Sequence, residues 1–386
     1  MEPELVTTHD HGGHVRASQH TQLILGMVMT ILVAATAVGA VLLWPHNVPA
    51  KQPWLDPGAS LVIGSVAQIV PDDGQTGHLV LRLDDGSTLE VPGDPTAPLS
   101  EVQLGQRVLA MTLPGQPGAY FIDYERGAPM LALAVIFVGL VIAVARWKGV
   151  AALVGLATAL AIVWTFTLPA LSIARNPLAV ALVTASLVMF VVVYLAHGIS
   201  VKTTTALIGT FLGIAVVAGL AWWAIPAASL TPLQDEVMGQ LPSQFPGIDA
   251  RGILLCGMVL AGVGVLNDVT ITQASAVWEL REAAPTASRR TIFGSAMRIG
   301  RDHIASTVYT IAFAYVGTAL ALLLLSSRLN FTILQLLTFN TVAQEVIATL
   351  VASIALVAAI PLTTALAAWL AGPMPPEAMP ARAITD

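Results

Sequence analysis

Eight long apolar blocks leave this chain few folds to choose from. They run over 22–44, 129–145, 149–172, 177–196, 203–226, 253–278, 304–326 and 346–370. Each approaches or exceeds the roughly 20 residues that cross a hydrocarbon core of about 30 Å. Inside that core only helices and closed barrels keep every backbone N–H and C=O paired, so the blocks predict eight transmembrane helices. Charged residues make up only 10% of the chain and hydrophobic ones 56%, against about 25% charged in soluble domains. A soluble enzyme is excluded, and the lipid bilayer is the first expected partner. The net charge of −6 and the lack of a Lys/Arg run speak against nucleic acid. Cys256 is the single cysteine and lies in an apolar block, which rules out an intramolecular disulfide.

Residues 1–21 hold His9, His11, His14 and His20 among glycines and charges. That composition cannot bury a core, and it reads as a disordered, solvated tail rather than a metal site. The block at 22–44 exceeds the 7–15-residue core of a cleavable signal peptide, and further spans follow, so it reads as an uncleaved first span. Between 51 and 124 short alternating runs are separated by turn residues, with strands expected at 64–70, 78–83, 88–91, 108–111 and 119–124. Asp85-Gly86 supplies a hairpin turn. The fold class is therefore mainly α: an eight-span helical membrane protein with a small extracytoplasmic β-barrel-like domain inserted after the first span. A seven-span membrane domain follows over 129–371, and a cytoplasmic tail over 372–386.

Basic residues set the orientation. Arg146, Lys148, Lys202, Arg281, Arg289, Arg290, Arg298 and Arg301 fall in one set of short loops, and Arg175, Arg251 and Arg328 in the other. Short basic loops mark the cytoplasmic side, so both termini are expected inside and the β domain outside a bacterial inner membrane. Thr231-Pro232-Leu233-Gln234 predicts the start of a short outer helix reaching toward Leu241. Residues 288–300 predict an amphipathic linker on the cytoplasmic surface, with Ile292, Phe293, Ala296 and Ile299 on one face.

Ionisable groups inside spans cost about 2.5–3.5 kcal/mol each on insertion scales, so each is a candidate site. In the sixth block Asp268, Thr272, Ser275 and Glu279 follow i, i+4, i+7, i+11 spacing and share one helix face, with Asn267 beside Asp268. A buried carboxylate above a ladder of hydroxyls is what a proton or cation path requires. The same pattern also suits a polar seam between helices, with Glu279 merely solvated. Gly257, Ala261 and Gly264 continue this face upward and would let a neighbouring helix approach closely. The seventh span opens with Asp302 and His303, followed by Ser306, Thr307 and Thr310. Asp302 also suits a first helical turn through the dipole alone. Asn340, Gln344 and Glu345 read as caps ahead of the last span, and Pro361 as a kink within it. No metal-ligand spacing such as H-E-x-x-H appears, so neither a metal nor any other cofactor is expected.

Asn267-Asp268-Val269-Thr270-Ile271-Thr272-Gln273-Ala274-Ser275-Ala276-Val277-Trp278-Glu279, Gly300-Arg301-Asp302-His303-Ile304-Ala305-Ser306-Thr307 and Pro361-Leu362-Thr363-Thr364 resemble the YibE/F family. The resemblance covers most of 130–370 and implies a multispan bacterial membrane protein with an extracytoplasmic β domain. It implies no defined activity. Where that family often has paired acids and a Gly-Ser-Ile-Gly stretch in the last span, this chain has Gln344-Glu345 and Ala352-Ser353-Ile354-Ala355, so no role carries over to Gln344 or Glu345. The order of an Asn-Asp helix, a basic linker and a hydroxyl-bearing helix is also similar to spans four and five of resistance-nodulation-division transporters and SecD/SecF. By that analogy Asn267-Asp268 would carry protons and Ser306, Thr307 and Thr310 would face them.

These readings converge on a proton-coupled secondary transporter or exporter of a small solute or ion. The alternative is a non-transporting envelope factor, whose β domain binds an envelope partner or a second copy and whose membrane part couples proton flow to movement. An intramembrane enzyme would need a nucleophile–base pair or a metal set, and the sequence offers nothing of that kind beyond Asp302 and His303.

Overall fold

Alternating apolar residues after the first block should pair as strands with one face inward, and five such strands form. They are β1 (Ser60–Val70), β2 (His78–Leu83), β3 (Thr88–Pro92), β4 (Arg107–Thr112) and β5 (Tyr120–Tyr124), paired antiparallel in the order β3-β2-β1-β4-β5. The computed structural model describes residues 19–50, 53, 55, 57–71, 77–92, 102–116, 118–231, 236–328 and 331–372. The sheet is small and curled. A register shift between Val66 and Gln68 bends β1, and the Ala119 amide donates to the Glu90 carbonyl at 2.9 Å, linking the middle of β3 to the start of β5. Val66, Leu79, Leu81, Val91, Val102, Val108 and Ala110 fill its interior. The predicted hairpin turn forms: Gly86 takes φ +85, which a side chain would resist, and the Asp85 carboxylate accepts from the amide and hydroxyl of Ser87.

The chain divides into two units, Pro49–Arg146 and Met1–Val48 with Trp147–Asp386. The division falls where helix α2 (Gly127–Ile162) breaks. There Arg146 leaves helical space (φ 53, ψ −130), the point at which the sequence predicts a basic turn between two spans.

In the larger unit, α1 covers Gln19–Leu43 and takes in Gln19, His20 and Thr21 from the predicted tail. After α2 the chain passes through a single π turn, Val163–Thr167, into α3 (Leu168–Ser172). The wide turn lies just before Pro169, which lacks the N–H that would close an ordinary helical ring. Asn176 caps α4 (Pro177–His197) by accepting from the Ala179 amide at 2.9 Å, with Pro177 at the first position. Ser200 and Thr203 form a capping box at the head of α5 (Val201–Ala227). Next come α6 (Glu236–Gln244), α7 (Ala250–Ala283), α8 (Arg289–Ser327), α9 (Ile333–Thr338) and α10 (Asn340–Leu370). The predicted cap at Pro232-Leu233-Gln234 and most of both tails, including His9, His11 and His14, lie outside the described residues.

Among the described residues six helical stretches are long and apolar enough to cross a membrane: Gln19–Leu43, Gly127–Ser172, Pro177–His197, Val201–Ala227, Ala250–Ala283 and Asn340–Leu370. The blocks expected as spans two and three fall together in the 46-residue run Gly127–Ser172. The block at 304–326 is the second part of α8.

Two expectations are corrected. The amphipathic stretch 288–300 is not a separate surface linker. It forms the first turns of α8, and its apolar face packs on protein: Ile292 and Ala296 are buried with Val277, Trp278, Ala367 and Ala368. Asn340, Gln344 and Glu345 do not precede the last helix but lie inside the first turns of α10. There Asn340 exchanges two hydrogen bonds with the backbone of Thr231, at 3.0 and 3.1 Å.

The centre of this unit is the packing of α5, α7 and α10, with α4 alongside. Helices approach closely in lipid where one of them carries a small residue. Gly213 of α5 receives Leu266 of α7, and Gly262 of α7 receives Val217 of α5. A methyl group built on either glycine would stand 2.7 and 2.9 Å from those side chains.

Candidate functional site

Asp249 caps α7, its carboxylate accepting from the Gly252 amide at 2.9 Å. Val259, Val263, Leu266, Val269, Thr270, Gln273 and Val277 turn inward and are buried. Asp268 precedes Val269 by one residue, about 100° around the helix, and therefore points away from α5 and α10. The expectation of a buried carboxyl is corrected: the Asp268 side chain is 73% exposed.

The structure brings His303 of α8 to it. His303 Nε2 lies 3.5 Å from Asp268 Oδ2, in ion-pair range when the imidazole is protonated but without hydrogen-bond geometry. Asn267 does not join them, since its Oδ1 is buried with no hydrogen-bond partner. Thr272 donates its hydroxyl to the backbone carbonyl of Asp268 at 2.8 Å, rather than to the carboxylate. Below Asp268 an open groove of about 400 Å³ is lined by Thr272, Ser275, Ala276, Glu279 and Leu280 of α7 and Ile299 of α8. At its far end Glu279 pairs with Lys202 of α5 at 3.3 Å, both side chains in the open.

Asp302, Ser306, Thr307 and Thr310 form no hydrogen bond or ion pair with Asp268. Thr310 instead donates to the Ser306 carbonyl at 3.1 Å. Of the ten predicted residues, Asp268 and His303 form one pair, and Thr272, Ser275 and Glu279 share the groove.

Sequence reasoning missed two interior features. The first is a buried polar layer. Thr210 and Thr270 bond hydroxyl to hydroxyl at 2.6 Å, and the Thr364 hydroxyl lies 2.8 Å from the Gln273 amide oxygen, so α5, α7 and α10 are stitched together. Gln273 and Thr364 were visible as polar residues inside apolar blocks, which was the available signal. The second feature is Arg281, which spacing presents only as a loop charge. Its side chain is completely buried. Nε donates to the Ala371 carbonyl at 2.6 Å, and Nη1 reaches the carbonyls of Ala287, Pro285 and Ala284 at 2.7, 3.1 and 3.3 Å. All four acceptors are backbone atoms, so no side-chain pattern announces them.

Among the described residues no three His, Cys, Asp or Glu side chains gather as a metal site. Several helices long and apolar enough to span a bilayer, with Asp268 well inside one of them, define a membrane protein. The model of the YibE/F-like protein family matches residues 133–373, more than half of the chain, and the protein belongs to that family. This bears out the resemblance carried by the motifs on α7, α8 and α10. No curated protein and no solved structure matches the chain.

Proposed function

We propose that the protein is a proton-coupled secondary transporter or exporter of a small solute or ion in the bacterial cell membrane, with Asp268 as the proton-carrying group. The observation that carries this reading is the approach of Asp268 and His303, 3.5 Å apart on two long helices, above a groove lined by Thr272, Ser275 and Glu279. Two titratable groups at that distance can exchange a proton when the helices shift. The groove offers hydroxyls and a terminal carboxylate along a route toward one end of α7. In this reading the chain crosses the membrane eight times with the β domain outside and both termini inside, following the basic-loop bias. It is not an enzyme, and it works without a cofactor.

The test is complementation of a deletion phenotype at equal membrane expression, followed by proton flux in reconstituted vesicles. Asp268→Asn keeps shape and hydrogen-bonding capacity but removes the charge change, so it should insert normally and lose activity. Asp268→Glu should keep part of it, and Thr272→Val, which removes a hydroxyl from the groove wall, should impair less. Full complementation by Asp268→Asn with unchanged flux would sink the proton mechanism. Metabolite profiling of the deletion strain, inside and outside the cell, would identify the solute.

A further inference from the structure

The turn from α7 into α8 gathers N–H donors that the chain leaves unpaired. A guanidinium carries five N–H groups. In Arg281, Nε and Nη1 donate to backbone carbonyls, but Nη2 is buried and meets no acceptor among the described residues. Three residues earlier on α7, and so its neighbour on the helix surface, Trp278 is 6% exposed. Its indole Nε1–H is also buried without a partner.

The charge is as one-sided as the donors. No carboxylate stands against Arg281: Glu279 holds Lys202, and Glu282 forms no ion pair among the described residues. A second cation comes instead, since Arg289 lies close enough to repel Arg281. Its Nη2 lies against Gly372, where a methyl group would stand 3.1 Å away, next to the Ala371 carbonyl that Arg281 holds. Helix α8 also starts here. Arg281 Nη1 bonds Ala287, the residue before the Ser288 cap, and the Ser288 hydroxyl accepts from the Thr291 amide. The amides of Arg289 and Arg290 are left among the unpaired first-turn donors of a 39-residue helix.

We infer that this turn is an oxyanion site that takes a phosphate group, with Arg281 Nη2 and Trp278 Nε1 as its buried donors and Arg289 at its exposed rim. The donor set selects the ligand. It holds N–H groups only, so it suits an occupant that accepts at several points and brings negative charge, and it rejects a cation. A carboxylate has two oxygens to offer, whereas a phosphate has three or four, enough for a guanidinium, an indole and a helix N-terminus together. A buried cation without a counter-charge and buried N–H groups without acceptors are both unfavourable, and one such occupant relieves both. Phosphate chemistry reaches the end of a span as a free anion or as the headgroup of an anionic lipid.

The test uses the full chain, stripped of lipid in a maltoside detergent, which carries no phosphate. Inorganic phosphate is titrated calorimetrically at constant ionic strength, and phosphatidylglycerol in mixed micelles forms a parallel arm. One saturable site per chain is expected. Arg281 stays in place because it also clamps the fold. Trp278→Phe keeps a buried ring and removes the N–H, and Arg289→Gln changes an exposed side chain, so both variants should fold, with unchanged circular dichroism. Each should weaken binding by about tenfold. Arg328→Gln, at the far end of α8, should leave it unchanged. Saturation by inorganic phosphate assigns a free anion, and saturation by the lipid alone assigns a headgroup; both uphold the site. No saturable binding of either probe overturns the inference and leaves the unpaired donors to water. Binding that Trp278→Phe or Arg289→Gln leaves intact overturns it too, as does binding that Arg328→Gln weakens equally.

Discussion

Arg281→Met removes the buried guanidinium while keeping a stem that fills much of its volume. Arg281 joins three parts of the larger unit: the end of α7, the turn into α8 through Ala284, Pro285 and Ala287, and the end of α10 through Ala371. Of its four contacts the one to Ala284, at 3.3 Å, is weak, which leaves three of full strength. Hydrogen bonds to a charged donor contribute about 1.5–3 kcal/mol each, and desolvating the cation takes back several kcal/mol. The net loss on substitution is therefore about 3 kcal/mol. For a unit of this size each kcal/mol moves the melting temperature by about 2–4 °C, giving a drop of about 6–12 °C. The chain supplies its own reporter, because Cys256 is its single cysteine and is only 2% exposed. A maleimide that fluoresces on reaction will report unfolding in detergent as that thiol is uncovered. Arg281→Lys keeps the charge but cannot reach carbonyls on two sides at once, so it should melt between the two. A drop below about 2 °C for Arg281→Met would refute the clamp.

In the Cys256→Ala background, a cysteine at Ser87 should react with an impermeant thiol reagent from outside the cell and one at Ser288 only from inside; labelling of both from the same side refutes the proposed topology. Residues 51–124 expressed alone should give dispersed β-type amide shifts, because the sheet has its own interior of Val66, Leu79, Leu81, Val91 and Val108. A random-coil spectrum from a soluble preparation would mean that this segment needs the rest of the chain.

Local patterns made much of this architecture legible. Apolar blocks of membrane-spanning length must become helices, because no other segment pairs its own backbone away from water. The blocks at 177–196, 203–226, 253–278 and 346–370 accordingly lie inside α4, α5, α7 and α10, and alternation with turn residues placed all five strands and the Gly86 turn. Spacing also put Asp268, Thr272, Ser275 and Glu279 on one helix face, since that depends only on 3.6 residues per turn. Periodicity orders a helix's faces without saying which of them meets a neighbour. Packing decided that question: Leu266 seated on Gly213 and Val217 on Gly262 turned Val269 and Gln273 inward and Asp268 outward. The same holds for Arg281, whose acceptors are backbone carbonyls up to 90 residues away, and for residues 288–300, whose apolar face found Trp278 and Ala367 rather than a membrane surface. Contacts of that kind depend on how whole helices stack, and stacking in lipid is settled by the fit of small and large side chains between helices, which no single segment encodes.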